Sequence, residues 1–505
     1  MRARRLSLCL LGTLALAGLP APAGAQAVGS EFQVNTYTTS DQDGASLAAD
    51  AAGNFVIVWT SWPGQDGSSL GVFGQRYDSE GVSLGSEFGV NTHTTGIQAD
   101  ASVAATADGG FVVVWYGRGG GDGVGIFGQR YDSGGGTLGS EFRVNSYTTG
   151  TQSNPSVASD ASGNFVVVWE SYPGQDGIHG EVFGQRFDSA GTPRGAEFHV
   201  NSYTGGYEQW PKVASDATGN FVVVWESRGD IFGQRFDSEG VAQGEEFRVN
   251  SYTTHSQSVP SVASDASGNF VAVWVSPNDV VGQRYDAAGE ALGNEFRVNS
   301  YTPKFQELPS VAFDASGNFV VAWNSDDQDG SGGGIFGQRY DSAGRASGNE
   351  FQINSFTTGH QGFASVAATG TNQFVVAWES PQQDGSGDGV FGQRLDFSGP
   401  TITVVSPNTN VKWRVGSQRR IQWTHGVGGG QTFRIELDRD NDGDYEELIA
   451  AAAPAGAARG SFGWTVSGPP SATARVRVSW SDDLEVSDAS DVTFRITPAE
   501  LDGER

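Results

Sequence analysis

The sequence predicts an all-β protein, a seven-bladed β-propeller over residues 26–399 followed by a small β-sandwich over 400–497 and a tail at 498–505. Three observations predict it. The segment Glu31-Phe32-Gln33-Val34-Asn35 returns near residues 87, 141, 197, 246, 295 and 350, so a unit of 49 to 56 residues occurs seven times. Each unit holds four runs of four to eight residues rich in Val, Phe, Tyr and Trp and bounded by Gly, Asp, Asn and Ser, which is strand and turn chemistry. No segment carries a helical period.

In the third unit the strand candidates are the Glu-Phe-x-Val-Asn segment Glu141 to Asn145, Pro155 to Ala158, Asn164 to Trp169 and Val182 to Asp188. Four strands in about 50 residues suit a propeller blade better than a solenoid coil. The repeats begin with Glu31-Phe32 and stop after Gln393-Arg394-Leu395-Asp396. The first copy therefore has a spare strand and the last lacks one, which predicts that the two ends share a blade and close the ring. That phase places Ser-Val-Ala at the crowded axis. The seven tryptophans at 59, 115, 169, 225, 274, 323 and 378 recur with the unit and are expected in the core between blades. The recurrent Gln-Arg-(Tyr/Phe)-Asp is expected to pair its arginine with aspartate or an aromatic face.

The N-terminus reads as a signal peptide of residues 1–25: Arg2, Arg4 and Arg5, an apolar stretch from Leu6 to Leu19, then Ala23-Gly24-Ala25, with cleavage after Ala25 or Ala27. The expected location is outside the inner membrane: periplasm, cell surface or medium. Cys9 lies in that leader, so disulfides are not expected. No later run reaches the ~20 apolar residues of a spanning helix. With the leader removed, 27 basic residues face 58 acidic ones. Nucleic acid is excluded as a partner because phosphate binding needs a basic face.

Residues 401–496 alternate apolar and polar residues in runs such as Thr401 to Val405, Arg420 to Trp423, Phe433 to Leu437 and Arg475 to Val478. Within them stand Ser406-Pro407-Asn408, Trp413, Gly416, Ile421, Trp423, then Gly460-Ser461-Phe462-Gly463-Trp464-Thr465-Val466, Ala474 to Val478 and Ser487 to Asp491. This pattern resembles the Ig-like domain of the yeast cell-wall synthesis, Ser/Thr-rich family. The resemblance implies an Ig-like β-sandwich that faces a surface or wall, and no reaction. The propeller repeat resembles repeats of large bacterial secreted and surface proteins; it is neither a WD repeat nor the sialidase Asp-box.

Few motifs point to chemistry. Gly67-Ser68-Ser69-Leu70-Gly71 has the hydrolase spacing but no helix follows it. The six histidines have no metal-ligand spacing. Gln-Asp-Gly, or its equivalent, recurs after the blade tryptophan at Asp66, Asp122, Asp176, Asp329 and Asp384, where a solvated turn is expected. Asp438, Asp440 and Asp442 alternate before Gly443 and are the expected calcium ligands, although Ile449 stands where an EF-hand needs glutamate. No cofactor is required; calcium is the one expected ion.

Loop lengths locate a face. Glutamate to blade tryptophan is 28 residues in every copy, and Asp to the next Glu is nine. From tryptophan to the glycine of Gly-Gln-Arg the separation is 15, 13, 15, 8, 8, 14 and 14, so units four and five lack a flap. Tyr207, Trp210, Lys212, Arg228, His255, Lys304 and Phe305 cluster near this gap in sequence, and the chain has only three lysines. An aromatic and cationic patch on an acidic ring suits sugar stacking or an anionic group. The expected function is therefore a secreted or surface binding and adhesion protein that recognises polysaccharide or a partner protein. The alternatives are a polysaccharide-active enzyme, glycosidase or lyase, on the same scaffold and a structural envelope component. The enzyme predicts carboxylates clustered at one mouth of the axial channel; the binder predicts exposed aromatics there. Nothing in the sequence sets the oligomeric state.

Overall fold

The computed structural model describes residues 26–62, 65–119, 124–175, 179–203, 205–399, 402–427, 430–456, 458–481 and 483–499. The signal peptide expected at 1–25 lies outside them, as do Asp122 and Asp176. The chain divides into a unit ending at Phe397 and a second that begins at Ser398. Both are all-β, and no helix occurs among the described residues. No helix is long and apolar enough to cross a membrane.

The first unit is a β-propeller of repeated antiparallel sheets; seven four-stranded sheets occur among the described residues. The first strands are Asp41–Ala49, Gln98–Ala105, Thr151–Ser159, Glu208–Ser215, Ser258–Ser264, Gln306–Phe313 and Gly362–Gly370. Each packs on the first strand of the next sheet, and the seventh packs on the first, so the cycle is closed. The closure expected from the repeat phase is present. Gln26–Gln33 is the outer strand of sheet seven, with Phe32 opposite Gly392 and Gln33 opposite Phe391.

The repeated residues are the joints of this cycle. Glu87 Oε2 accepts from the Thr36 amide and hydroxyl at 2.6 and 2.9 Å, and Glu31 does the same for Ser355 across the seam at 2.6 and 2.9 Å. Six of the seven motif arginines correct the expectation made for them, while Arg339 lies 5.2 Å over the Phe397 ring, an aromatic face as expected. Arg76 donates to the carbonyls of Ser133 and Gly134 in the next sheet, both at 2.5 Å, and Arg394 donates to Ser79 O, at 2.6 Å, and Glu80 O, both in the first sheet. A guanidinium fork satisfies two turn carbonyls at once, whereas the motif's aspartate is used at home: Asp78 Oδ1 accepts from the Glu80 and Val82 amides at 3.1 and 2.7 Å. The glycine of Gly-Gln-Arg has a steric reason. A Cβ on Gly392 would lie 2.7 Å from the Phe32 ring, and one on Gly74 2.8 Å from Phe88, so the fourth strand's phenylalanine can lie flat only over glycine.

All seven repeat tryptophans are fully buried, as expected. Trp115 shares a core cluster with Val56, Val58 and Val72 of the preceding sheet, which makes it an inter-sheet residue. Burying such a side chain removes ~150–250 Å² from water, worth about 4–6 kcal/mol at most.

The second unit has a three-stranded sheet of Ile402–Ser406, Gln418–His425 and Arg459–Thr465, and a larger sheet that includes Thr432–Asp438, Ser471–Trp480 and Phe494–Thr497. Trp413, Ile421, Trp423, Phe433, Val476 and Phe494 are among the residues of its one core. Lys412–Arg414 pairs in parallel with Phe494–Thr497, a connection the alternating pattern does not announce.

Candidate functional site

Every first strand of the propeller carries the same irregularity. Its pairing with the second strand slips by a bulge of two residues, between Asp43 and Ser46 in sheet one and at the equivalent place in the other six. The leading bulge residue is left-handed in all seven: Gly44 (φ 65°), Asp100 (51°), Asn154 (51°), Trp210 (56°), Val259 (52°), Leu308 (51°) and Phe363 (55°). Glycine holds this conformation without strain, but a β-branched or bulky residue does so only when its surroundings enforce it. Part of the enforcement is visible. The Gly44 amide donates to Glu379 Oε1 of the neighbouring sheet. Glu170 and Glu226 accept in the same way from the amides of Trp210 and Val259.

These bulge residues line an axial cavity of about 440 Å³ to which all seven first strands contribute. They lie near the start of those strands, the end at which the second strand turns towards the third, as Asp41 opposite Trp62 shows. That is the face the loop lengths single out. In sheets four and five the turns there are only Arg228-Gly229 and Pro277-Asn278. One arc of the mouth is apolar, with Trp210, Val259, Leu308 and Phe363; the other carries Asp100 and Asn154. Trp210 and Phe363 are 44% and 50% exposed, which leaves ring surface free for contact.

Two residues deeper runs a second ring: Ser46, Ser102, Ser156, Lys212, Ser261, Ser310 and Ser365. The hydroxyls of Ser46, Ser102, Ser156 and Ser310 accept from the amides of Val103, Val157, Val213 and Val366 in the following sheet at 3.2–3.3 Å. Lys212 breaks this ring. Both side chains are exposed to the cavity; partial desolvation by its walls lowers the pKa of Lys212 and raises that of Asp100, while their mutual attraction works against both shifts.

A set of carboxylates gathers at the seam of sheets seven and one. Burial, with Asp43, Asp388 and Asp41 nearby, pushes Glu379 up to about 8. Burial, with Asp100, Asp41 and Asp388, pushes Asp43 up to about 6. Of the described acidic residues, only Asp100 lines the cavity.

The seven residues expected to form one patch separate. Trp210 and Lys212 line the cavity, and they do so from the innermost strand, not from a loop. The other five form local pairs outside it. Tyr207 stacks on Tyr172 at 5.9 Å. Arg228 lies 4.3 Å over the Tyr203 ring and donates to Gly205 O. His255 Nδ1 meets the Tyr252 hydroxyl at 3.1 Å, Lys304 is ion-paired with Asp327 at 3.1 Å, and Phe305 is exposed beside that pair. Asp100, Asn154, Val259, Leu308 and Phe363 were missed. The signal for them was a single repeat column, two residues before the recurrent Ser-Val-Ala, in which all seven copies differ.

Asp438, Asp440 and Asp442 bring one ligand atom each within 4.8 Å of one another. Asp438 is buried and already accepts from the Asn441 and Gly443 amides at 2.7 and 3.1 Å. The repeated loop aspartates are not fully solvated: Asp66 and Asp329 cap their turns through Oδ1 and bury Oδ2.

The chain matches no protein-family model and no curated protein. Among solved structures it is similar to a protein of unknown function from Dyadobacter fermentans DSM 18053, at 11% identity and TM-score 0.45, over 74% of this chain and 99% of that one. It is also similar to the α-L-arabinanase of Penicillium chrysogenum (12%, TM-score 0.43, 64% and 99%) and the endo-arabinase of Bacteroides thetaiotaomicron VPI-5482 (11%, TM-score 0.31, 72% and 95%). Arabinan cleavage is a property of those two proteins.

Proposed function

We propose that the protein is an exported, surface-facing glycan-binding protein, a seven-bladed β-propeller with an Ig-like β-sandwich, and that the mouth of the axial channel is its binding site. One observation carries this reading. Where the scaffold repeats Trp, Gly, Gln and Arg in all seven units, the mouth column holds seven different residues, four of them large and apolar in a costly left-handed conformation. An apolar arc opposite a polar one suits a sugar ring, which has a hydrophobic face and a hydroxylated edge. Fold alone would not choose this function.

A panel of neutral and acidic oligosaccharides titrated calorimetrically into the full chain tests it. Trp210→Ala and Phe363→Ala each weaken binding about tenfold, or ~1.4 kcal/mol, with unchanged melting temperature. Lys304→Ala, outside the cavity, leaves affinity unchanged. Full affinity in the Trp210→Ala, Phe363→Ala double variant contradicts the site.

A second reading, hydrolysis of polysaccharide, is favoured by Glu379 and Asp43, two neighbouring carboxyls held near 8 and near 6. It requires release of reducing ends that stops in Glu379→Gln; sustained product release in that variant removes it. Export is tested by the mass of the secreted chain, which should begin at Gln26 or Val28. Calcium at Asp438, Asp440 and Asp442 belongs to the proposal for the second unit. It predicts a later melt of that unit in calcium than in chelator, and superimposable melts leave an acidic turn.

A further inference from the structure

Lys212 stands where six other sheets place serine, and three observations set it apart. The serine hydroxyl is an acceptor for the next sheet's amide, and an ammonium group cannot accept. The Lys212 side chain is exposed to the axial cavity, which the first strands surround on every side. It also has no hydrogen bond or ion pair among the described residues, in a chain with 58 acidic residues. Asp100, two sheets away on the same cavity wall, is the carboxylate whose field reaches it. An ammonium group in the cavity with no bonded partner is left free to pair with an anion that enters there.

Resting on the reading of the channel mouth as a glycan site, we propose that Lys212 selects acidic saccharides by pairing with the carboxylate of a uronate at the end of the chain. The placement fits such an end group. Trp210 and Phe363 offer ring faces at the mouth, Asp100 and Asn154 offer hydrogen-bond partners for hydroxyls, and Lys212 lies two residues deeper. The body of a polyanion would be repelled by the acidic surface, so recognition is confined to a terminal residue, and short acidic oligomers bind as tightly per molecule as long ones.

Trigalacturonate, its methyl ester and neutral galactotriose are titrated into the full chain and into Lys212→Ser and Lys212→Met. Serine restores the repeated acceptor and is expected to raise the melting temperature; methionine keeps the stem and removes only the charge. The expected result is trigalacturonate affinity at least ~10-fold above that of the ester in the natural chain, with the difference lost in both variants and galactotriose binding unchanged. Equal affinity of the acid and its ester, or undiminished trigalacturonate affinity in both variants, overturns selection by Lys212. If Trp210→Ala then still weakens binding about tenfold, the channel site itself survives. Absence of binding by all three saccharides overturns both.

Discussion

Deleting residues 26–36 will lower the melting temperature of the propeller unit by on the order of 10 °C. The deletion removes the outer strand of sheet seven and with it Phe32, which lies over Gly392 and packs 5.4 Å from the Tyr77 ring of sheet one. It also removes the Glu31 clamp on Ser355 and the Asn35 side chain that accepts from the Val390 amide at 2.8 Å. Loss of the buried Val34 together with the half-buried Phe32 costs about 3–5 kcal/mol, and ~2–4 °C per kcal/mol is typical of a large domain. The third strand of sheet seven would become an open edge as well, so aggregation on heating should accompany the shift. Calorimetry on the deleted chain checks this, and an unchanged melt would mean that the seam is not closed by this strand.

The second large effect is on pH dependence. Glu379 has its folded pKa raised from 4.5 to about 8, so its contribution is most favourable while it is protonated in both states, below about 4.5, and is lost as pH rises through 8. At ~1.4 kcal/mol per pKa unit the loss is on the order of 5 kcal/mol. Glu208 acts in the same direction. It replaces the buried glutamine of the other six first strands, Gln42, Gln98, Gln152, Gln257, Gln306 and Gln361, and burial pushes it up to about 7. Glu379→Gln keeps an acceptor for the Gly44 amide and removes the charge. The natural chain should therefore melt well above its pH 8.5 temperature at pH 5, while Glu379→Gln gains several degrees at pH 8.5 and little at pH 5. Parallel pH profiles of the two proteins would show that Glu379 ionises freely.

The scaffold is legible in the sequence because its joints are short-range columns. Glu-Phe-x-Val-Asn and the blade tryptophan make the same kind of contact seven times and Gly-Gln-Arg six times, with Arg339 turned to Asn372, so their repetition announces sheets, phase and closure. Arginine's partners were not legible, since turn carbonyls leave no mark in residue identity. The site was half legible. Loop lengths pointed to the face on which the bulge residues line the channel, and Trp210 and Lys212 stood out as unusual residues in an acidic chain. The bulge that aims them did not stand out, because six of its seven left-handed positions carry something other than glycine. Distance along the chain then joined Lys304, Phe305 and His255 to a patch that the inner strands do not share.

Amide hydrogen exchange of the full chain, with and without a saturating amount of the tightest-binding oligosaccharide of the panel, tests the channel site most directly. The account predicts added protection in the first strands of the sheets, at 208–213, 258–262, 306–311 and 362–366, with the outer strands and residues 402–499 unchanged. Protection confined to the second unit, or to the outer strands, would contradict it.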